Sequence, residues 1–307
     1  MNTTPLTTFA RNSRTRIDAL ERTRIGELVL TLGRIVAAIA MILTAVVVYQ
    51  AVGVAVFGFL GVGPTPPVAL QFVAGLVATV VAVAGYVAYV HWVESRGVSE
   101  FGRRGAVREF ALGTVLGAAL FSTAIAIVWA AGGYTITETN SWQLVVPLIT
   151  GALFFATLEE LVYRGVVLRL VELPFGTWAG LAVSALAFAA FHVVATPNVT
   201  LWTGLSVFLA GLLLGGAYVY TRRLWFPIAL HAAWNFVQGG VFGIAVSGDE
   251  AGLGLFVGTT SGPTWLSGGD YGLEGSAVVV GVVLLATMVV LRQARQRGHF
   301  RAPARRS

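Results

Sequence analysis

The chain has 307 residues, of which 56% are hydrophobic and only 11% charged, against roughly 45–50% and about 25% in an ordinary soluble domain. A polar inventory this small argues against a water-soluble globular fold, whose surface would need more charge than 14 acidic and 20 basic side chains supply. The pI near 10.2 does not signal nucleic-acid binding, because there is no Lys, the Arg residues lie scattered between apolar stretches, and no basic domain carries them.

Residues Met1 to Gly26 are polar and Arg-rich and lack the short apolar core and small-residue cleavage site of a removable signal peptide. The first apolar run is therefore expected to act as signal and anchor together. A spanning helix needs about 20 mostly apolar residues, and eight runs meet or approach that length. They are Leu28 to Leu60, Val68 to Val93, Phe110 to Ala131, Trp142 to Leu168, Thr177 to Ala195, Leu201 to Tyr220, Trp225 to Val246 and Gly275 to Leu291. The first is long enough to be tilted, or broken near Gly53 or Gly58. The sequence thus predicts an all-α, polytopic membrane bundle of about eight transmembrane helices.

Charge in the connections tests this count, because Arg and Lys concentrate in cytoplasmic loops. Arg11, Arg14, Arg16, Arg22 and Arg24 precede the first span, and the connection around Pro64 to Pro67 is uncharged. Arg96, Arg103, Arg104 and Arg108 follow the second span, and only Glu138 follows the third. Arg169 follows the fourth, no charge lies between Ala195 and Thr200, and Arg222 with Arg223 follows the sixth. Only Asp249, Glu250, Asp270 and Glu274 follow the seventh, and Arg292, Arg295, Arg297, Arg301, Arg305 and Arg306 come at the end. The alternation predicts cytoplasmic N- and C-termini in a multi-pass protein of the cell membrane. It also predicts a basic cytoplasmic segment at 1–27, a single transmembrane domain at 28–293 and a basic cytoplasmic tail at 294–307. Arg34, just inside the first span, is read as snorkelling to the headgroups. Ser247 to Gly275, rich in Gly and Ser, is read as the one long external connection, a mobile loop. Gly211, Gly215 and Gly216 fit close helix packing, and Trp92, Trp142 and Trp225 interfacial anchoring.

Within the spans lie Glu159, Glu160 and Arg164 on the fourth, His192 on the fifth, and His231 with Asn235 on the seventh. A charge at mid-helix costs about 2.5–3.5 kcal/mol on insertion scales, and such groups usually face the bundle interior, pair, and mark a site. Residues four apart share a helix face, so Glu160 can pair with Arg164, Phe188 stacks beside His192, and His231 sits with Asn235. Glu159 is turned about 100° from Glu160 and is free for other chemistry. At about 1.5 Å of rise per residue, a fourth helix ending near Glu172 puts Glu159 about 20 Å deep, and a fifth starting at Thr177 puts His192 about 22 Å deep. His231 and Asn235, about 10 and 15 Å from Trp225, come out shallower.

At these positions the chain resembles the CPBP intramembrane proteases, a family that includes the type II CAAX prenyl endopeptidases and Abi-like immunity proteins. Glu159-Glu160-Leu161-Val162-Tyr163-Arg164 fits the family's EExxxR, Phe188-Ala189-Ala190-Phe191-His192 its FxxxH, and His231-Ala232-Ala233-Trp234-Asn235 its HxxxN. The resemblance covers about Trp142 to Gln238, the protease-like core. It implies an intramembrane endopeptidase acting on a membrane-associated peptide or protein, in which Glu159 and His192 activate a water, His231 and Asn235 stabilise the oxyanion, and Glu160 with Arg164 supports them. Buried carboxylates, imidazoles and amides suit those roles.

No Cys is present and HExxH is absent, so no cofactor is favoured; a zinc site, were there one, would use Glu159, His192 and His231. Two other classes stay open. A non-catalytic scaffold or immunity-type protein would keep the pocket for binding alone. A proton-coupled transporter would use the same groups as a relay, although no inverted repeat or paired broken helices are visible.

Overall fold

The computed structural model describes residues 24–59, 61, 66–196, 199–248 and 254–304. The basic segment at 1–23, Leu60, Pro64, Asp249, Glu250, Arg305 and Arg306 lie outside the described residues. The apolar runs fold as helices because, in hydrocarbon, each backbone N–H and C=O must find its partner within its own segment. Helix α1 spans Arg24–Phe59, α2 Val68–Trp92, α3 Ala106–Ala130, α4 Trp142–Glu160, α5 Arg169–Ala195, α6 Leu201–Thr221, α7 Trp225–Asn235 and α8 Ala277–Gln296. Two of them change winding. Helix α4 runs into a π-helical stretch, Leu161–Leu168, that continues into α5, and α7 runs into a second, Phe236–Val241.

Six of the described helical stretches are long and apolar enough to cross a membrane, and the longest, Trp142–Ala195, is α4 and α5 together. Its break falls at Gly176, whose φ of 83° and ψ of 168° only glycine adopts readily, and α7 completes the expected eight-helix bundle. Helix α1 is continuous through Gly53 and Gly58, so no break occurs there.

The bundle closes by backbone contact at small residues. A Cβ on Gly117 would lie 2.1 Å from the Leu230 carbonyl oxygen, and one on Gly113 2.4 Å from that of Phe226, so α3 lies against the backbone of α7. Gly211 brings α6 against Ala185 of α5 in the same way.

The basic connections come together on one face and are ion-paired, not merely solvated. Arg169 and Arg96 hold Glu94 between them, and Arg96 also pairs with Glu100 at 2.8 Å. Arg223 pairs with Glu109, and Arg222 binds Glu172 and the His299 carbonyl. The segment after α8 folds back over the Gly176 break: Thr177 N–H donates to the Arg301 carbonyl at 3.0 Å, and Arg301 N–H to Thr177 Oγ1 at 2.8 Å.

The opposite face carries a folded cap, which corrects the expectation of a mobile loop over 247–275 for its residues 254–275. Strand β1 (Tyr134–Thr139) pairs antiparallel with β2 (Phe256–Thr260), followed by a helical turn at Thr264–Ser267, and Leu266, Tyr271 and Leu273 are buried. A pairing partner more than a hundred residues away supplies the order that local composition conceals.

Two outcomes follow. Gly117→Ala forces α7 off α3 and should lower stability by about 1–3 kcal/mol, the usual cost of overpacking, read as a lower Tm of the detergent-purified protein; an unchanged Tm would contradict the contact. At the basic face, burial alone would raise the Glu94 carboxyl, but Arg169, with hydrogen bonds from Arg169, Arg96 and Tyr89, outweighs it and holds the group below its ordinary value. Stability from a carboxyl held low is complete above its ordinary value and is lost as pH falls through the lowered one. The Tm deficit of Glu94→Gln should therefore be full at pH 7 and vanish in strong acid, whereas a deficit constant across that range would refute the assignment.

Candidate active site

Glu160 and Arg164 are both fully buried, and Arg164 Nη1 donates to Glu160 Oε1 at 2.8 Å. The other arm of the guanidinium donates to the Gly211 carbonyl on α6 at 3.0 Å, and its carbon lies 4.8 Å from the centre of the Phe188 ring on α5. The π winding that starts after Glu160 releases backbone groups, and the Gly165 carbonyl accepts from both Tyr86 Oη at 3.2 Å and Arg169 Nε at 2.8 Å.

Glu160 Oε1 also accepts from His231 Nδ1 at 3.0 Å, which joins α7 to the pair. A carboxylate partner means Nδ1 carries the proton, so in the neutral ring Nε2 is the acceptor. That Nε2 lies 3.8 Å from Glu159 Oε2. His192 repeats the arrangement: its Nδ1 donates to the Phe188 carbonyl at 2.9 Å, and its Nε2 lies 4.0 Å from the same Glu159 oxygen. Phe188 packs on both imidazoles, with ring centres 4.4 Å from His192 and 6.1 Å from His231. Glu159 Oε2, buried and without a hydrogen-bond partner among the described residues, thus faces two imidazole nitrogens that are themselves acceptors.

The offset between Glu159 and His231 that the rise argument gives narrows here, because ion pairing on the basic face starts before Glu172. Ion pairing begins at Arg169, only about 15 Å of helix from Glu159. Leu224, whose N–H donates to the Glu100 carbonyl, lies about 10 Å before His231. The residual offset is about one turn.

Asn235, one turn beyond His231, makes no side-chain hydrogen bond among the described residues. It lines, with His192, His231 and Phe188, a cavity otherwise walled by Val207, Leu213, Leu214, Leu230, Trp234, Val279 and Val283. Ser206, Ser247 and Glu274 add polar groups to that wall. Sequence reasoning missed these three; only the acidic character of the connection after the seventh span hinted at Glu274. The six residues expected from the motifs therefore lie around one interior site: Glu159, Glu160, Arg164, His192 and His231 in direct contact, Asn235 on the adjoining cavity wall.

For zinc, ligands at about 2.1 Å in a tetrahedral site stand about 3.4 Å apart, closer than the 3.8 and 4.0 Å found between Glu159 and the imidazoles. Among the described residues no group of three His, Cys, Asp or Glu side chains is placed to hold a metal ion.

Residues 140–237 match the family described as type II CAAX prenyl endopeptidase Rce1-like, a stretch that contains all six site residues. No curated protein and no solved structure matches the chain at a significant level.

Removing one partner of a buried ion pair strands the other charge, at a cost of about 3–5 kcal/mol, whereas replacing both partners is often close to neutral. Arg164→Met should therefore lower the Tm sharply, and Glu160→Gln combined with Arg164→Met should recover part of the loss. Additive losses would show that the two residues do not act as a pair.

Proposed function

We propose, from the premise that residues 140–237 form an Rce1-like domain of the CPBP/CAAX protease family, that this multi-pass membrane protein hydrolyses a peptide bond of a membrane-associated substrate. The observation that carries the reading is the convergence of three acceptors, Glu159 Oε2 and the two imidazole Nε2 atoms, on one buried point. Three acceptors with no donor repel one another, and a water molecule relieves this by donating its two hydrogens to two of them. Separations of 3.8 and 4.0 Å leave room for a water oxygen within hydrogen-bond reach of Glu159 Oε2 and of an imidazole Nε2.

In this mechanism the water oxygen attacks the substrate carbonyl carbon while its proton passes to Glu159, with His192 Nε2 accepting the second hydrogen and orienting the lone pair. The tetrahedral oxyanion accepts from the Asn235 amide, a donor that contributes about 3 kcal/mol in a site closed to bulk water, while His231, an acceptor at Nε2 in the neutral ring, holds the water and not the oxyanion. Glu159 then delivers its proton to the leaving nitrogen, the C–N bond breaks, and an acid and an amine result. Glu160 takes no proton in this scheme. Held by Arg164, it fixes the His231 tautomer and keeps the acceptor nitrogen aimed at the water. The route needs no metal.

The test is cleavage of a membrane-tethered peptide by purified protein in liposomes. Glu159→Gln and His192→Ala should each reduce turnover by at least about 10²-fold, while both variants accumulate in the membrane and keep their Tm. Unchanged processing in both would favour a binding scaffold. Elemental analysis of the active preparation should find no stoichiometric zinc, and its presence would replace the metal-free route.

A further inference from the structure

The cavity beside the site has a charge at one end that the mechanism does not use. Helix α7 runs from the basic face at Trp225 toward the capped face, so Asn235 and Trp234 lie nearer the cap than His231 does. There Glu274, from the folded cap, lines the cavity. Its Oε1 accepts from Trp234 Nε1 at 3.2 Å and its Oε2 from the Ser247 N–H at 2.6 Å. Both donors are neutral, and among the described residues no Arg lies within ion-pair distance of this carboxylate.

The composition of the capped face says why. Among the described residues its connections contain Glu138, Asp270 and Glu274 and no basic residue, while the described Arg-bearing connections fall on the opposite side. A carboxylate has about four lone-pair positions, and two of Glu274's are used. The carboxylate lines the cavity, where a second anion would be repelled and a cation would gain a charge-assisted hydrogen bond.

We propose that Glu274 is a specificity-determining residue: it selects substrates that place a cationic side chain on the cap side of the scissile bond and disfavours those that place a carboxylate there. This rests on the proteolytic reading of the site and adds the substrate's charge to it. The wall of Val207, Leu213, Leu214, Val279 and Val283 accommodates the apolar stem of such a side chain, and the carboxylate meets its head.

Three otherwise identical membrane-spanning peptides carrying Lys, Leu or Glu at the cap-side position serve as probes in liposomes. They are tested first for binding to the Glu159→Gln protein, which separates recognition from turnover. The Lys peptide should bind about tenfold more tightly than the Glu peptide, with a preference that weakens as salt is added, and Glu274→Gln should bring the two affinities together. Equal binding of the three peptides, or a preference that survives Glu274→Gln, overturns the proposal. Should Glu274→Gln fail to accumulate, carbodiimide coupling of the bound Lys peptide should join its amine to Glu274, and coupling only elsewhere overturns it. Cleavage of all three peptides at equal rates by the unsubstituted protein would sink the charge preference alone. Absence of any cleavage alongside the binding preference would sink the proteolytic reading alone.

Discussion

One ion pair holds the site together. Arg164 touches Glu160 on its own helix, the Gly211 carbonyl on α6 and the face of Phe188 on α5, while Glu160 reaches His231 on α7. Four helices are thereby tied to two fully buried side chains. In a bilayer the alternative is severe, since a guanidinium or carboxylate that lost its partner would face hydrocarbon. The pair therefore constrains where α5, α6 and α7 can sit relative to α4, and with them the positions of both imidazoles. Close approach elsewhere serves the same end: Gly113 and Gly117 let α3 press α7 inward until His231 is within reach of Glu160.

Much of this was legible in the sequence because the signals were local or periodic. Spans follow from run length, and the sidedness of the loops from where Arg falls. The Glu160 to Arg164 pairing follows from a spacing of four on a helix. What escaped was what depends on distant parts of the chain. The cap looked like a mobile loop because its order comes from β1, and Gly113 and Gly117 carry no mark that distinguishes them from Gly211 until their neighbours are known. The shift to π winding after Glu160 and after Asn235 has no compositional signature. Both shifts directly follow a candidate functional residue, in keeping with the frequent occurrence of π turns at such sites. The depth estimate took Glu172 as the boundary of the fourth helix, whereas polar pairing on that face already begins at Arg169 and is met again, through backbone, at Leu224, which narrows the offset to about a turn.

The two faces of the bundle solve different problems. On the basic face, Glu94, Glu100, Glu109 and Glu172 partner the arginines that the positive-inside pattern puts there, so a topological signal also becomes cohesion. These four acids were hidden in the sequence by the arginine excess around them. The segment 297–304 joins that network and covers the Gly176 break, which lies between the helix carrying the glutamates and the length of α5 carrying His192. The capped face has acids without matching bases, and its order comes from strand pairing and buried aromatic and aliphatic side chains instead.

The adjacent glutamates show how environment divides the work of identical groups. Glu160 has a cation at 2.8 Å and an imidazole N–H at 3.0 Å, both on Oε1, so its geometry is fixed, while its Oε2 is buried with no hydrogen-bond partner among the described residues. Glu159, one residue earlier and about 100° around the helix, meets only acceptors through Oε2, and its side chain remains 23% exposed. A carboxylate oxygen so placed is open to a hydrogen-bond donor such as a bound water, as the proposed base for water attack requires. The asymmetry arises from helical phase alone: at a spacing of four, Arg164 can reach Glu160 and leaves Glu159 to face the histidines.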